Sequence, residues 1–208
     1  MAIKAIIFDI DGVLADSRRA VVHNTKALLG EYGFEASDKK VRKMSSAHSA
    51  ETVLVSLAPD LKNNRQLLRK MLSRLSELTM QNTHLVRPLP LVEKVPLLAK
   101  KYSLAAATNR KSSARLVLRK LGILRHFSAV VTSADAPPKP DPAMILLALK
   151  KLHVKPSEAV FVGDNDEDRM AGETAGVHVI MLCNKDIFSG EKYLGEFLGE
   201  NVRKQTRN

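Results

Sequence analysis

The chain has 208 residues, 45% of them apolar, and 33 Lys+Arg against 22 Asp+Glu give it a net charge of +11. This is enough apolar material for a packed core, so the charge does not imply disorder, and the length suits one α/β domain or a core with a modest insertion. No stretch reaches the roughly 18 to 20 apolar residues of a bilayer span and no signal peptide opens the chain, which makes a soluble cytoplasmic protein with no membrane partner the expectation. The single cysteine, Cys183, has no partner for an internal disulfide and reads as a small buried hydrophobe. A basic chain attracts nucleic acid, an anionic membrane or a small anionic substrate. With 4% aromatics and no Trp, recognition of single strands by base stacking is the weakest of these.

The excess charge is not spread evenly. Residues 17–87 hold 13 Lys+Arg and 6 Asp+Glu, whereas the rest of the chain holds 20 and 16. Residues 3–8 form a continuous apolar run, the pattern of a strand buried on both faces of a parallel sheet. After it the chain gives no convincing strand until about residue 103; residues 17–85 read as helices instead, with Leu67, Leu68, Met71, Leu72, Leu75 and Leu78 spaced as one helical face. Asp16 and Ser17 suit a turn and an N-cap that open this segment. Arg87-Pro88-Leu89-Pro90 reads as a linker, and a helix predicted over 91–101 is interrupted by Pro96.

From there strand and helix alternate. Apolar runs at 103–107, 129–132, 159–163 and 177–182 predict four further strands. Between them, Ala114, Val117, Leu118 and Leu121 make an apolar stripe closed by Gly122, and Asp141-Pro142 starts a helix as N-cap and first residue. A weakly patterned tail has one helical candidate at 193–198. The fold expected is a Rossmann-like parallel α/β sheet flanked by helices, with an all-helical segment inserted after the first strand. Its domains are 1–15 with 88–208, and 16–87.

In such a sheet, loops at the carboxyl ends of the strands meet on one edge, where ligands bind. Asp9 and Asp11 follow the first run, Thr108 and Asn109 the second, Asp164 and Asp168 a later one, and Lys139 precedes the Asp141 helix. Carboxylates two residues apart, joined by others from a second strand, form a hard oxygen site suited to Mg²⁺. With a phosphoryl substrate, one carboxylate attacks phosphorus, and a second protonates the leaving oxygen and later deprotonates water. A lysine, a hydroxyl and backbone N–H groups stabilise the equatorial oxygens. The six histidines show no metal-ligand spacing. His48, Arg42 and Lys43 are candidates to face a substrate, and Arg65, Arg69, Lys70 and Arg74 read as a solvated helix face.

Asp9-Ile10-Asp11-Gly12-Val13-Leu14-Ala15-Asp16-Ser17 resembles the first motif of the haloacid dehalogenase superfamily, and Thr108-Asn109, Lys139-Pro140-Asp141-Pro142 and Gly163-Asp164-Asn165-Asp166-Glu167-Asp168 resemble its second, third and fourth. The resemblance implies Asp9 as nucleophile, Asp11 as general acid/base, and Thr108, Asn109 and Lys139 as phosphate-binding. It also implies Mg²⁺ held by Asp9, Asp11 through its backbone carbonyl, and Asp164, with Asp168 as ligand or acting through water. Dehalogenases of the superfamily generally lack the second aspartate of the first motif, so Asp11 favours phosphate chemistry. The inserted helices are similar to the cap of phosphoglycolate phosphatases, although Asn165 stands where serine is frequent and Ser45-Ser46-Ala47-His48 where glycine is common. The expectation is therefore a Mg²⁺-dependent hydrolase of small anionic phosphomonoesters. A phosphomutase or pyrophosphatase on the same core is the alternative, and a catalytically silent nucleic-acid or partner-binding module is the reading from a different class.

Overall fold

The structure is a computed structural model that describes residues 2–45 and 49–182. Cys183, the tail candidate at 193–198 and His48 lie outside the described residues. By its internal contacts the chain divides into two compact units: residues up to Asp16 together with those from Pro88 onward, and Ser17–Arg87.

β1 (Ala5–Phe8) buries all four of its side chains, as a strand covered on both faces must. A tight turn follows, in which the Leu14 and Ala15 N–H groups both donate to the Ile10 carbonyl, and it leads into the two-residue β2 (Ala15–Asp16). The Ser17–Arg87 unit consists of α1 (Arg18–Glu31), α2 (Asp38–Ser45), α3 (Ala50–Leu57) and α4 (Arg65–Gln81), with 3-10 turns at Pro59–Asn63 and Thr83–Leu85. Ser49 and Asn64 start α3 and α4 by accepting the N–H groups of Thr52 and Leu67, satisfying donors that a helix leaves unpaired. Ser17 precedes α1 as expected, but it caps with its backbone carbonyl, which accepts from Val21 N–H, and not with its hydroxyl. The unit has its own apolar core, with Leu28, Leu29, Val41, Leu54, Leu61 and Met71 fully buried. Of the stripe expected on α4, Leu68, Met71 and Leu78 are buried, and Leu67, Leu72 and Leu75 pack partly buried against the same cluster.

The chain returns through β3 (Arg87–Pro88), which joins β2 in a two-stranded sheet. These two short strands correct the expectation of no strand before residue 103; two residues are too few to show a strand's periodicity. The helix expected over 91–101 is also corrected, to a 3-10 turn at Pro90–Lys94 and the single α turn α5 (Val95–Leu98). Pro96 stands in that first turn, where its missing N–H has no intrahelical partner to lose. Then follow β4 (Ser103–Thr108), α6 (Ala114–Lys120), β5 (Ala129–Thr132), α7 (Ala143–Leu152), β6 (Ala159–Gly163), α8 (Asp166–Thr174) and β7 (His178–Met181). The start of α7 lies one residue later than expected: Pro142 is the N-cap, and Asp141 reaches forward to accept from Ala143 N–H.

The five long strands pair in parallel in the order β5-β4-β1-β6-β7. β1 lies at the centre, and the chain builds outward from it first on one side and then on the other. Phe8, the last residue of β1, pairs with Ala106 of β4 and with Val162 of β6, so the three central strands end within two residues of one another. A parallel sheet opens a crevice at such a reversal, beyond the carboxyl ends of its strands. Met144, Ile145, Ala148 and Leu149 of α7 cover one face together with Ala171 and Ala175. Among the described residues no helix is long and apolar enough to cross a membrane.

Candidate active site

Each residue singled out at a strand end stands on the crevice edge of the sheet. Asp9 is the first residue beyond β1, and its N–H still donates to the Val162 carbonyl at 2.9 Å, so the sheet ladder itself fixes it. Thr108 ends β4, Lys139 lies between β5 and α7, and Asp164 follows the last residue of β6. Asp168 occupies the first turn of α8, whose N-cap Asn165 accepts the Asp168 N–H at 3.0 Å.

The structure brings three of these charges into direct contact. The Lys139 ammonium donates to Asp9 Oδ1 at 2.7 Å and to Asp168 Oδ1 at 2.5 Å. Asp9 and Lys139 are each only 4% exposed and Asp168 not at all. The other oxygen of Asp168, Oδ2, accepts from the Asp164 N–H at 3.0 Å, and Phe161 lies under the ammonium with its ring centre 5.3 Å away. One carboxylate thus ties Lys139 to the Asp164 loop. Burial lowers the affinity of Lys139 for its proton, but the charges and hydrogen bonds of Asp9 and Asp168 more than offset this and hold its pKa above the ordinary value. Burial pushes the Asp9 carboxyl up to about 7, with Lys139 opposing and Asp168 and Asp11 adding to the rise. It pushes Asp164 up to about 6, aided by Asp168 and opposed by the Asn165 amide and Lys139.

Ligand-capable oxygens of Asp9, Asp164 and Asp168 all lie within 4.8 Å of one another. Two of these carboxyls are raised and all are crowded into one partly buried pocket of hard oxygen donors. A divalent cation such as Mg²⁺ fits this donor set and offsets its repulsion. The Asp11 carboxylate is placed differently. Both of its oxygens face Arg110, which donates from Nε to Oδ2 and from Nη2 to Oδ1, each at 2.7 Å.

Asn109 has a bracing position. Its Oδ1 accepts the Lys139 N–H at 2.8 Å, and its Nδ2 donates to the Lys139 carbonyl at 3.1 Å and to Glu167 at 3.3 Å. The side chain therefore locks the Lys139 loop to the end of β4. Thr108, 1% exposed, accepts the Arg110 N–H through its hydroxyl oxygen at 3.3 Å, which leaves the hydroxyl proton to donate elsewhere. Two glycines make the approach of these loops possible. Gly12 has φ +82°, and a Cβ there would fall 1.8 Å from Asp164 Oδ2; a Cβ on Gly163 would fall 2.4 Å from that of Asp168. Arg110 and the brace formed by Asn109 are what the sequence conceals. An arginine after Thr-Asn reads as a surface residue, and its partner Asp11 lies 99 positions away.

The model of the haloacid dehalogenase-like hydrolase family matches residues 6–182, and the chain belongs to that family. It is a hydrolase of the phosphatase class. The pyrophosphatase PpaX of Bacillus velezensis is 31% identical to it over 84% of this chain and 80% of its own length. A phosphoglycolate phosphatase of Nitrosospira multiformis is 30% identical over 88% of this chain and 84% of its own. Among solved structures, a subfamily IA hydrolase of the superfamily from Geobacter sulfurreducens superimposes with a TM-score of 0.70 at 27% identity, covering 86% of each chain.

Proposed function

We propose that the chain is a Mg²⁺-dependent hydrolase of small phosphomonoesters that works through an aspartyl-phosphate at Asp9. The observation that carries this reading is the buried Lys139 ammonium bridging Asp9 and Asp168, with Asp164 within ligand distance, at the point where the sheet reverses its order of growth. An oxygen of Asp9 attacks phosphorus as the bond to the leaving oxygen breaks, and Asp11 supplies the proton that oxygen needs. Water then attacks the phosphorus of the acyl-phosphate, Asp11 takes its proton, and Asp9 is released with inorganic phosphate. Lys139 holds Asp9 in place and, with the Thr108 hydroxyl, donates to the phosphoryl oxygens as their charge develops. Asn109 acts one step back, by fixing the backbone of Lys139. Asp9, Asp164 and Asp168, with the Asp11 carbonyl, would hold Mg²⁺, which when bound would supply positive charge against the transferring group.

Residues 16–87 serve as a cap that selects the substrate, as the helical insertion of phosphoglycolate phosphatase-like enzymes does. The reading is supported by two relatives acting on small phosphorylated anions, a pyrophosphatase and a phosphoglycolate phosphatase. The test is a panel of phosphoglycolate, pyrophosphate, sugar phosphates and nucleotides with Mg²⁺, using Asp9→Asn as control. Release of inorganic phosphate in step with substrate loss supports hydrolysis; full Mg²⁺-dependent turnover by Asp9→Asn overturns the mechanism.

A further inference from the structure

Arg110 is built into its place from several directions. Its side chain is only 10% exposed, and its guanidinium clasps both oxygens of Asp11 in a bidentate pair. The remaining terminal nitrogen, Nη1, donates to Ser113 Oγ at 2.9 Å, and Ser113 is itself buried. The backbone is tied as well: the Arg110 N–H donates to Thr108 Oγ1, and its carbonyl accepts from the Ser133 N–H at 3.2 Å. The contact that reaches a residue of the site is the one with Asp11, 99 positions away in the chain. A planar fork facing a carboxylate also fixes the plane and rotation of that carboxylate, which a lysine at the same place does not.

We infer that Arg110 is a positioning residue for Asp11, holding its carboxyl group in one orientation at the mouth of the site, with Ser113 holding the guanidinium in turn. The inference rests on the acid/base role of Asp11 in the proposed function. It predicts a specific defect. A misdirected Asp11 hampers proton delivery to the leaving oxygen, which matters for a poor leaving group and little for a good one. Formation of the aspartyl-phosphate, reported by kcat/KM, separates the two cases.

The experiment compares phenyl phosphate with p-nitrophenyl phosphate in the full-length enzyme with Mg²⁺. Asp11→Asn, Arg110→Gln, Arg110→Lys and Ser113→Ala are assayed beside the parent, and thermal melting confirms that each is folded. For Arg110→Gln the expectation is a fall in kcat/KM of about 100-fold on phenyl phosphate against less than about fivefold on p-nitrophenyl phosphate, in the range that positioned acid catalysis supplies. Arg110→Lys keeps the charge but not the fork and falls in between, and Ser113→Ala shows the same selectivity at about threefold. Equal losses on both substrates place Arg110 on the transferring phosphoryl group instead and overturn the inference, as does no loss on either. If Asp11→Asn is not selective for leaving group, the acid/base reading of Asp11 fails and takes this inference with it. If Asp11→Asn is selective and Arg110→Gln is not, only the role of Arg110 fails. Should Arg110→Gln not fold, the same comparison on Arg110→Lys and Ser113→Ala decides.

Discussion

Ion pairs in the helical unit lie at its surface, whereas those of the α/β unit reach its interior. Arg74 with Glu31, Lys26 with Asp38 and Arg65 with Glu51 all leave a third or more of one or both side chains in solvent, over a core of Leu, Val and Met. In the α/β unit Asp9, Lys139 and Asp168 are buried together. Exposed pairs add little to stability, because water already solvates both partners. A buried cluster is costly to assemble and costly to leave half-made, so its retention points to chemistry and not to folding. One unit keeps its paired charges where water solvates them, and the other holds charge where water does not screen it.

The sharpest way to break this contrast is to disarm the buried cluster. Asp9→Asn removes the proposed nucleophile while keeping its shape, and kcat on the best substrate of the panel should fall by about 1,000-fold or more. Lys139→Met leaves Asp9 and Asp168 facing each other without a cation between them. The expected result is a loss of about 100- to 1,000-fold in kcat, together with about 3 to 5 kcal/mol of stability from an uncompensated buried charge, read by urea denaturation without Mg²⁺. Unchanged stability in that variant would mean that the cluster is not held as described.

A third prediction concerns pH. Asp9 and Asp164 ionise at about 7 and about 6 in the folded protein, both raised from 3.8 first by burial. Between these values and the ordinary one the folded, metal-free chain binds more protons than the unfolded chain. Its stability from these groups therefore falls as pH rises from about 4 to about 7 and levels off above. Mg²⁺ takes the ionised carboxylates, so it should release protons on binding and raise Tm more at pH 8 than at pH 5. An equal gain at both pH values would show that the raised carboxyls are not the ligands.

Two smaller effects belong to the helical unit. Its 13 basic against 6 acidic residues carry most of the chain's excess. If this charge steers an anionic substrate, kcat/KM should decline several-fold between about 0.01 and 0.15 M ionic strength while kcat holds; no decline leaves the charge as a solvated surface only. Last, Arg74→Ala, which releases Glu31 and Glu77 at the surface, should shift Tm by less than about 3 °C and leave kcat unchanged.

The sequence displays the sheet plainly because its strands are continuous apolar runs, and continuous runs arise only where both faces are covered. It also places Asp9, Thr108 and Asp164 at strand ends, since a chain that leaves a buried strand must turn polar at once, and Lys139 just before a helix start. Side-chain partnerships are another matter. That Lys139 spans Asp9 and Asp168, that Asn109 braces the backbone of Lys139 and that Arg110 grips Asp11 depend on loops meeting from residues 29 to 130 positions apart. No periodicity records such meetings. The short β2 and β3 and the broken segment around Pro96 escaped for the opposite reason, being too brief to carry a pattern.

Of the five strands of the sheet, the earliest in the chain is the one placed in the middle. Ala5 finds its neighbours at Ser103 on one side and Ala159 on the other, so as the chain leaves the ribosome an apolar Ala-Ile-Ile-Phe segment waits unpaired while the residues of Ser17–Arg87 are made and find their contacts among themselves. Long-range parallel pairing of this kind is slow, and a waiting strand is open to wrong partners. A nascent chain stopped before β6 has Asp9 but neither Asp164 nor Asp168, and Lys139 then has only one of its two carboxylates. The buried cluster therefore cannot be complete until β6 and the first turn of α8 have been made.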